Sequence, residues 1–280
     1  MVQDALRKNK ALYYFGLGSN MSRKKLEGRS PDGMPIEIIR MEPAIVPNHR
    51  LAFNLKGFPP LEPGMGSLEP IDSDNKALLK YQDDECHGAL VKLTAENYER
   101  IMKSEGVGSS SQGGYEEVVV TCFPYNKWRR PVQAVALRAR VPLSKDPCPS
   151  VRYMKILREG AHELGLRKEY QEFLREHPVQ QVPGWLRRIA VLNLVVTATL
   201  SFRFKLRFVS KIQSWLLFKV YVPSNGNSLS RCLSDVLTLV VIAPGAFMGV
   251  MLYAIMKATG TMPPFLNRMM TLFGDDNDVQ

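Results

Sequence analysis

Cysteine and histidine are scarce in this 280-residue chain, with four residues of each. The cysteines have neither a paired spacing nor a metal-ligand spacing, which predicts reduced thiols rather than disulfides or a zinc site. They are Cys86, Cys122, Cys148 and Cys232. The histidines at 49, 87, 162 and 177 have no mutual spacing that suggests a metal site, and no Ser/His/Asp pattern accompanies them. We therefore expect neither a metal centre nor a serine-type triad.

A long apolar run of the kind found in secretory signals is also missing from the first 20 residues. Mixed charges lead straight into a short apolar segment that ends in glycine. We therefore expect the amino-terminal part to stay in the cytosol.

Acidic residues are absent between Arg187 and Ser234. Most of the excess that gives the chain its formal net charge of +10 therefore lies in this stretch. The basic residues of this stretch are Arg187, Arg188, Arg203, Lys205, Arg207, Lys211, Lys219 and Arg231. They alternate with apolar runs, which suits an anionic membrane surface better than nucleic acid. A nucleic-acid-binding protein would need basic residues spread over residues 1–186, so we expect no nucleic-acid partner.

An uncharged run of 21 residues, Val236–Met256, follows the basic stretch. At about 1.5 Å per residue it is long enough to cross a bilayer as a transmembrane helix, and a membrane span tolerates its Pro244. The alternative is a core helix of a small C-terminal domain. The shorter uncharged run Ile189–Phe202 is either membrane-inserted or part of a soluble core, and Phe208–Val222 is typical of an interfacial helix.

The sequence predicts a mixed α and β domain over residues 1–186. Over 187–280 it predicts a basic, hydrophobic tail that associates with a membrane. Apolar alternation predicts strands at 12–17, 36–46, 50–55, 86–93, 115–122 and 132–141. Helices are expected at 22–27, from the N-cap Thr94 to Ser104, at 151–164 and at 168–176. The Pro- and Gly-rich segment 57–75 predicts a long loop, and such loops are often functional.

Three segments, in order along the chain, share features with one enzyme family. Tyr14–Asn20 reads Tyr-Phe-Gly-Leu-Gly-Ser-Asn, Glu105-Gly106-Val107 precedes Gly114-Tyr115, and two helices follow Pro147. These segments resemble the strand-to-loop signature, the catalytic segment and the C-terminal helices of the γ-glutamyl cyclotransferases. The resemblance spans roughly residues 12–175 and implies an α+β fold with a small, mixed, barrel-like β-sheet and flanking helices.

The resemblance also implies a reaction without any cofactor: cyclisation of a γ-glutamyl amide to 5-oxoproline, with release of an amine or amino acid. The α-amine of the substrate attacks its own γ-carbonyl, and a carboxylate must first remove the ammonium proton and then return a proton to the leaving amine. By the resemblance, Glu105 is that catalytic residue.

The candidate substrate-binding residues surround the glycine-rich turn. A developing oxyanion needs preorganised donors, and such a turn exposes backbone N–H groups. Gly16, Leu17, Gly18 and Ser19 could therefore bind either the oxyanion or the α-carboxylate of the substrate. Asn20 and Tyr115 complete the expected binding set.

Two departures from the family pattern bear on the substrate. Leu17 stands where the family typically has Tyr, and the loop between Val107 and Tyr115 carries a Ser-rich expansion. The C-terminal helices favour a γ-glutamyl amino acid, while γ-glutamyl-amines and glutathione stay open. The alternative function is a non-catalytic, membrane-tethered ligand-binding or scaffold protein on the same fold. Expected partners are the small γ-glutamyl substrate and membrane lipid, and a homodimer is left open.

Overall fold

The computed structural model describes residues 11–29, 34–71, 84–107, 114–126, 130–202, 212–213, 215–217 and 228–260. The chain divides into two compact units. The first comprises Met1–Lys56, Gly64–Pro147 and Arg152–His177. The second comprises Gly57–Pro63, Cys148–Val151 and Pro178–Gln280.

The first unit is built on a closed five-stranded barrel in the order β1-β5-β2-β6-β7. Its strands are β1 (Leu12–Gly16), β2 (Arg40–Pro47), β5 (Glu85–Leu93), β6 (Tyr115–Pro124) and β7 (Val132–Ala139). Neighbouring strands are antiparallel except β1 and β7, whose parallel pairing at Tyr14–Val135 and Phe15–Ala136 closes the barrel. Closure leaves no unpaired sheet edge. The predicted barrel-like α+β fold is confirmed.

Helices flank the barrel: α1 (Arg23–Glu27), α2 (Ala95–Ser104), α3 (Val151–Glu163) and α4 (Lys168–Glu176). The apolar face of α2 packs on the barrel through Tyr98 and Ile101, which are almost fully buried with Tyr14, Val91 and Val135. At about 25 cal/mol per Å² of buried apolar surface, side chains of this size stabilise the unit by about 1.5–3 kcal/mol each.

The capping of α2 fixes the position of Glu105. The Thr94 hydroxyl accepts a hydrogen bond from the Asn97 N–H at 3.2 Å, as predicted for the N-cap. At the other end, Gly106 adopts a left-handed φ of 71°, which ends the helix. Glu105 is therefore the C-cap residue, and its backbone N–H donates to Ile101 O at 3.0 Å.

The predicted loop over 57–75 is wrong where it covers β4 (Glu62–Pro70), a strand that forms a two-stranded sheet with β3 (His49–Phe58). Gly57 of β3 and Gly64 of β4 are needed because the two backbones approach closely, not because the segment is a flexible loop. A Cβ on Gly57 would lie 1.9 Å from Glu62 O, and one on Gly64 would lie 2.2 Å from Phe53 O. Glycine in a strand commonly marks such an approach.

Strand β2 differs from its predicted bounds, whereas the described cysteines are free thiols as predicted. The strand begins at Arg40 rather than at 36, because Ile36 leaves the sheet to bury its side chain in the cluster beneath α2. The cysteines whose side chains are described, Cys86, Cys122 and Cys148, are free and buried. The expected Ser-rich loop at 108–113 lies outside the described residues.

The second unit contains two long helices, α5 (Gly184–Phe202) and α6 (Ser228–Ala258). Among the described residues, one helix segment, Leu233–Met256 of α6, is long and apolar enough to cross a membrane. Only 19% of that segment is buried within the chain. The predicted interfacial helix at 208–222 is described only at 212–213 and 215–217, where the chain is helical.

Candidate active site

The turn after β1 brings the first group of predicted residues together. Gly18 adopts a left-handed φ of 62°, and a Cβ there would lie 2.6 Å from the Tyr153 hydroxyl oxygen. Gly16 is equally confined, since its Cβ would lie 2.9 Å from Asn20 O. Both positions therefore require glycine. Leu17, between them, turns its side chain into the protein and is only 7% exposed.

Asn20 joins this turn to the end of α2. Its side chain is buried, and Nδ2 donates to Glu105 Oε1 at 2.9 Å and to the Tyr14 hydroxyl at 2.7 Å. Tyr14 and Asn20 belong to one sequence motif and Glu105 to another, 85 positions from Asn20. The fold thus joins two of the predicted segments by direct hydrogen bonds.

Arg29 completes the surroundings of the Glu105 carboxylate. Its Nη1 lies 2.8 Å from Glu105 Oε1, and its Nη2 donates to Ser19 Oγ at 2.6 Å. The Glu105 side chain is only 9% exposed, so this ion pair is shielded from bulk water. A carboxylate with an amide and a guanidinium on the same oxygen is held in one orientation.

Tyr115 is positioned through β4. Its hydroxyl donates to Gly66 O at 2.7 Å, and the Gly66 N–H donates to the Tyr153 hydroxyl at 2.9 Å. A Cβ on Gly66 would lie 3.0 Å from that same Tyr153 oxygen. One strand glycine therefore fixes two tyrosines beside the turn.

The hydroxyls of Tyr14 and Tyr115 stay protonated at neutral pH. Burial raises the pKa of Tyr14 above its usual value, and the nearby negative charge of Glu105 raises it further. Burial likewise raises the pKa of Tyr115 well above its usual value, with contributions from Tyr153 and Glu105.

Sequence reasoning missed three members of this constellation: Arg29, Gly66 and Tyr153. Arg29 follows a short polar helix and has no motif of its own, while Gly66 lay in a segment interpreted as a loop. Tyr153 is in the segment that resembles the C-terminal helices, but no sequence feature marked its hydroxyl. Among the described residues, no three His, Cys, Asp or Glu side chains lie together in a group that could hold a metal ion.

A closed barrel that presents one shielded carboxylate beside a glycine-rich turn is suited to an enzyme that moves protons at a small bound molecule. The chain is 31% identical over 196 residues to the γ-glutamyl cyclotransferase gliK of Claviceps purpurea, covering 65% of this chain and 83% of the relative. It is 27% identical over 184 residues to the γ-glutamyl cyclotransferase gliK of Aspergillus fumigatus, covering 61% and 64%.

A solved structure of a γ-glutamyl cyclotransferase aligns with a TM-score of 0.47 and 20% identity, over 62% of this chain and 91% of that one. No family model matches the sequence. The identity to the Claviceps relative, and the share of that relative covered, show that the chain belongs to the γ-glutamyl cyclotransferase family and is an enzyme.

Proposed function

We propose that the barrel site cyclises a γ-glutamyl amino acid or amide to 5-oxoproline and releases the amino acid or amine, with Glu105 as the catalytic base and acid. The observation that carries this assignment is the shielded carboxylate beside the Gly18 turn, which Asn20 and Arg29 both contact. The reaction needs one group that takes a proton from an ammonium and returns a proton to the leaving amine.

The contacts of Glu105 indicate which oxygen does this work. Asn20 and Arg29 both engage Oε1, and no hydrogen bond to Oε2 is present among the described residues. We assign Oε2 to the proton of the substrate ammonium. Because Oε1 is held, Oε2 has a fixed direction, and holding reacting groups in place is a large share of catalysis in an intramolecular reaction.

Tyr14 is a further candidate to stabilise the oxyanion. Its hydroxyl accepts the Asn20 amide, and among the described residues no acceptor for its own proton is present. A buried donor beside the carboxylate could bind the oxygen on which charge develops. We also assign binding of the oxyanion, or of the substrate α-carboxylate, to the backbone N–H groups of the turn. These belong to Gly16, Leu17, Gly18 and Ser19.

Release of 5-oxoproline from the purified full-length chain in detergent tests the reaction. The substrates are γ-glutamyl-alanine, γ-glutamyl-lysine and glutathione, assayed in parallel. Glu105→Gln should abolish turnover while the isosteric amide preserves the fold. The matched control is Glu116→Gln, which removes a half-exposed carboxylate paired with Arg138. Equal activity of Glu105→Gln and the native chain would refute the assignment, and the substrate ranking would identify the class preferred by a site with Leu17.

We further propose that α6 tethers the enzyme to a membrane through Val236–Met256, with the barrel on the cytosolic side. The length and the low burial of this helix, and the absence of charge from 236 to 256, support the tether. With α6 as the one crossing helix, the basic residues before its uncharged run outnumber Lys257 and Arg268 after that run, which favours the cytosolic orientation. Alkaline carbonate extraction should leave the full chain in the membrane pellet and release a chain that ends at Arg188. Release of both would refute the tether.

A further inference from the structure

The two long helices of the second unit approach each other at two glycines of α6. A Cβ on Gly245 would lie 2.1 Å from Asn193 Oδ1, and one on Gly249 would lie 2.9 Å from Leu192 O. Two small residues four positions apart allow helix backbones to come this close, and such pairs are typical of helix packing inside membranes. The glycine pair of α6 is therefore occupied by α5 of the same chain.

A polar network lies inside this helix pair. Asn193 of α5 is fully buried, and its Oδ1 accepts a hydrogen bond from Gln213 Nε2 at 2.7 Å. The Thr197 hydroxyl, also buried, donates to Gln213 Oε1. Gln213 thus pairs with the Asn193 oxygen and the Thr197 hydroxyl, while Asn193 Nδ2 has no hydrogen-bond partner among the described residues. Polar side chains at membrane depth face the interior of a helix bundle, as the buried Asn193 and Thr197 do.

The outer face of α6 is apolar. Its exposed residues include Phe247, which is 72% exposed, and Val240, which is 64% exposed. The others are Leu233, Val236, Leu237, Met248, Val250, Met251 and Ile255. Water-soluble proteins rarely expose a continuous apolar face of this extent. Lipid acyl chains suit a face without a single charge between positions 236 and 256.

We propose that α5 enters the bilayer together with α6, as one packed helix pair, rather than lying in a soluble core. This inference rests on the proposed membrane attachment of α6 but not on the orientation proposed for the barrel. A crossing α5 would place the basic residues between 203 and 219 on the side opposite the barrel. The 19 residues of α5 span ~28 Å, close to the ~30 Å thickness of the hydrocarbon core. Trp185, 52% exposed, lies with Arg187 and Arg188 at its start, and these are residue types that anchor a helix at the membrane interface.

Protease protection of the full-length chain in phosphatidylcholine–phosphatidylserine vesicles tests the proposal. Proteinase K digestion followed by mass spectrometry should recover peptides covering both 189–202 and 236–256 in similar proportion. The same digestion after the vesicles are dissolved should destroy both. Protection of 236–256 alone would overturn the joint insertion while leaving the tether intact. Loss of both in intact vesicles would refute the tether itself, and with it the joint insertion.

A variant pair separates membrane insertion from simple protease resistance. Gly245→Leu combined with Gly249→Leu makes α6 more apolar but closes the space that α5 occupies. We expect α6 to stay protected and α5 to be cleaved, because the leucine side chains would collide with Asn193 and with the Leu192 carbonyl and so push α5 away from α6. The control is Val250→Leu, on the exposed face, which should change neither. Undiminished protection of α5 in the double variant would overturn the packed-pair proposal.

Discussion

Replacing Asn20 by alanine tests whether the proposed base is held by the turn after β1. The native amide donates to Glu105 at 2.9 Å and to Tyr14 at 2.7 Å from a side chain that is only 5% exposed. Water cannot easily take over either bond, because the site is shielded. The substitution therefore removes two hydrogen bonds and leaves Oε1 of Glu105 with Arg29 alone.

The expected cost can be divided between stability and catalysis. A buried hydrogen bond to a charged group contributes about 1.5–3 kcal/mol, and one to a neutral hydroxyl about 0.5–1.5 kcal/mol. We expect the free energy of unfolding to fall by about 2–4 kcal/mol. A shift of roughly 1 Å in Glu105 would lower kcat about 100-fold, with a smaller change in KM.

Asn54 provides a matched control in the same unit. It is 4% exposed, and its Nδ2 donates to the carboxylate of Glu69 at 3.1 Å. Asn54→Ala should destabilise the unit by about 1.5–3 kcal/mol, through the same kind of lost bond, without a 100-fold loss of kcat. The assay is 5-oxoproline release beside denaturant unfolding of both variants. If kcat falls equally in the two variants, Asn20 acts only through stability and the positioning argument is wrong.

Three further predictions concern other groups. Gly18→Ala should lower activity, because its Cβ would strain a left-handed backbone and press on the Tyr153 hydroxyl, and adding Tyr153→Phe should restore part of the loss. No recovery of 5-oxoproline release in the double variant would contradict this cause. Arg29→Lys should reduce kcat, because an ammonium group lacks the planar fork with which Arg29 contacts Glu105 Oε1 and Ser19 Oγ together. An unchanged kcat would count against a positioning role for Arg29. Burial, with a smaller contribution from a nearby arginine, lowers the pKa of His87 to about 4, so protonation favours the unfolded chain. Unfolding in detergent should therefore cost up to about 3 kcal/mol less at pH 4 than at pH 7, with the loss beginning below about pH 6.5, and His87→Gln should flatten this dependence.

Local sequence signals predicted the elements that carry the site. Thr94 caps α2 as expected, and Gly106 ends that helix, so the position of Glu105 at a helix terminus could be predicted from neighbouring residues alone. The apolar character of the barrel strands was equally informative, because most residues of β1, β5 and β7 are buried. These features depend on residues within a few positions of one another.

The contacts that orient Glu105 could not be predicted in the same way. Arg29 reaches the carboxylate across 76 positions, and no local pattern specifies such a pairing. Gly66 was misread because Pro and Gly usually indicate a loop, whereas here the absence of a side chain lets β4 pass beside Tyr153. Long-range packing overrides local propensity at both residues.

The departure at Leu17 acquires a definite meaning once these contacts are known. Its side chain is buried, and its Cδ1 lies 3.5 Å from the point where a Cβ on Gly66 would be. The Asn20 N–H donates to the Leu17 carbonyl oxygen at 3.2 Å, so Leu17 supports Asn20 through its backbone. The contacts of Asn20 and Arg29 with Glu105 do not involve the Leu17 side chain. A leucine here alters the wall near β4 and leaves the carboxylate and its supports in place. We therefore expect a substitution at Leu17 to change which γ-glutamyl compound fits, and one at Glu105, the proposed base, to abolish the reaction.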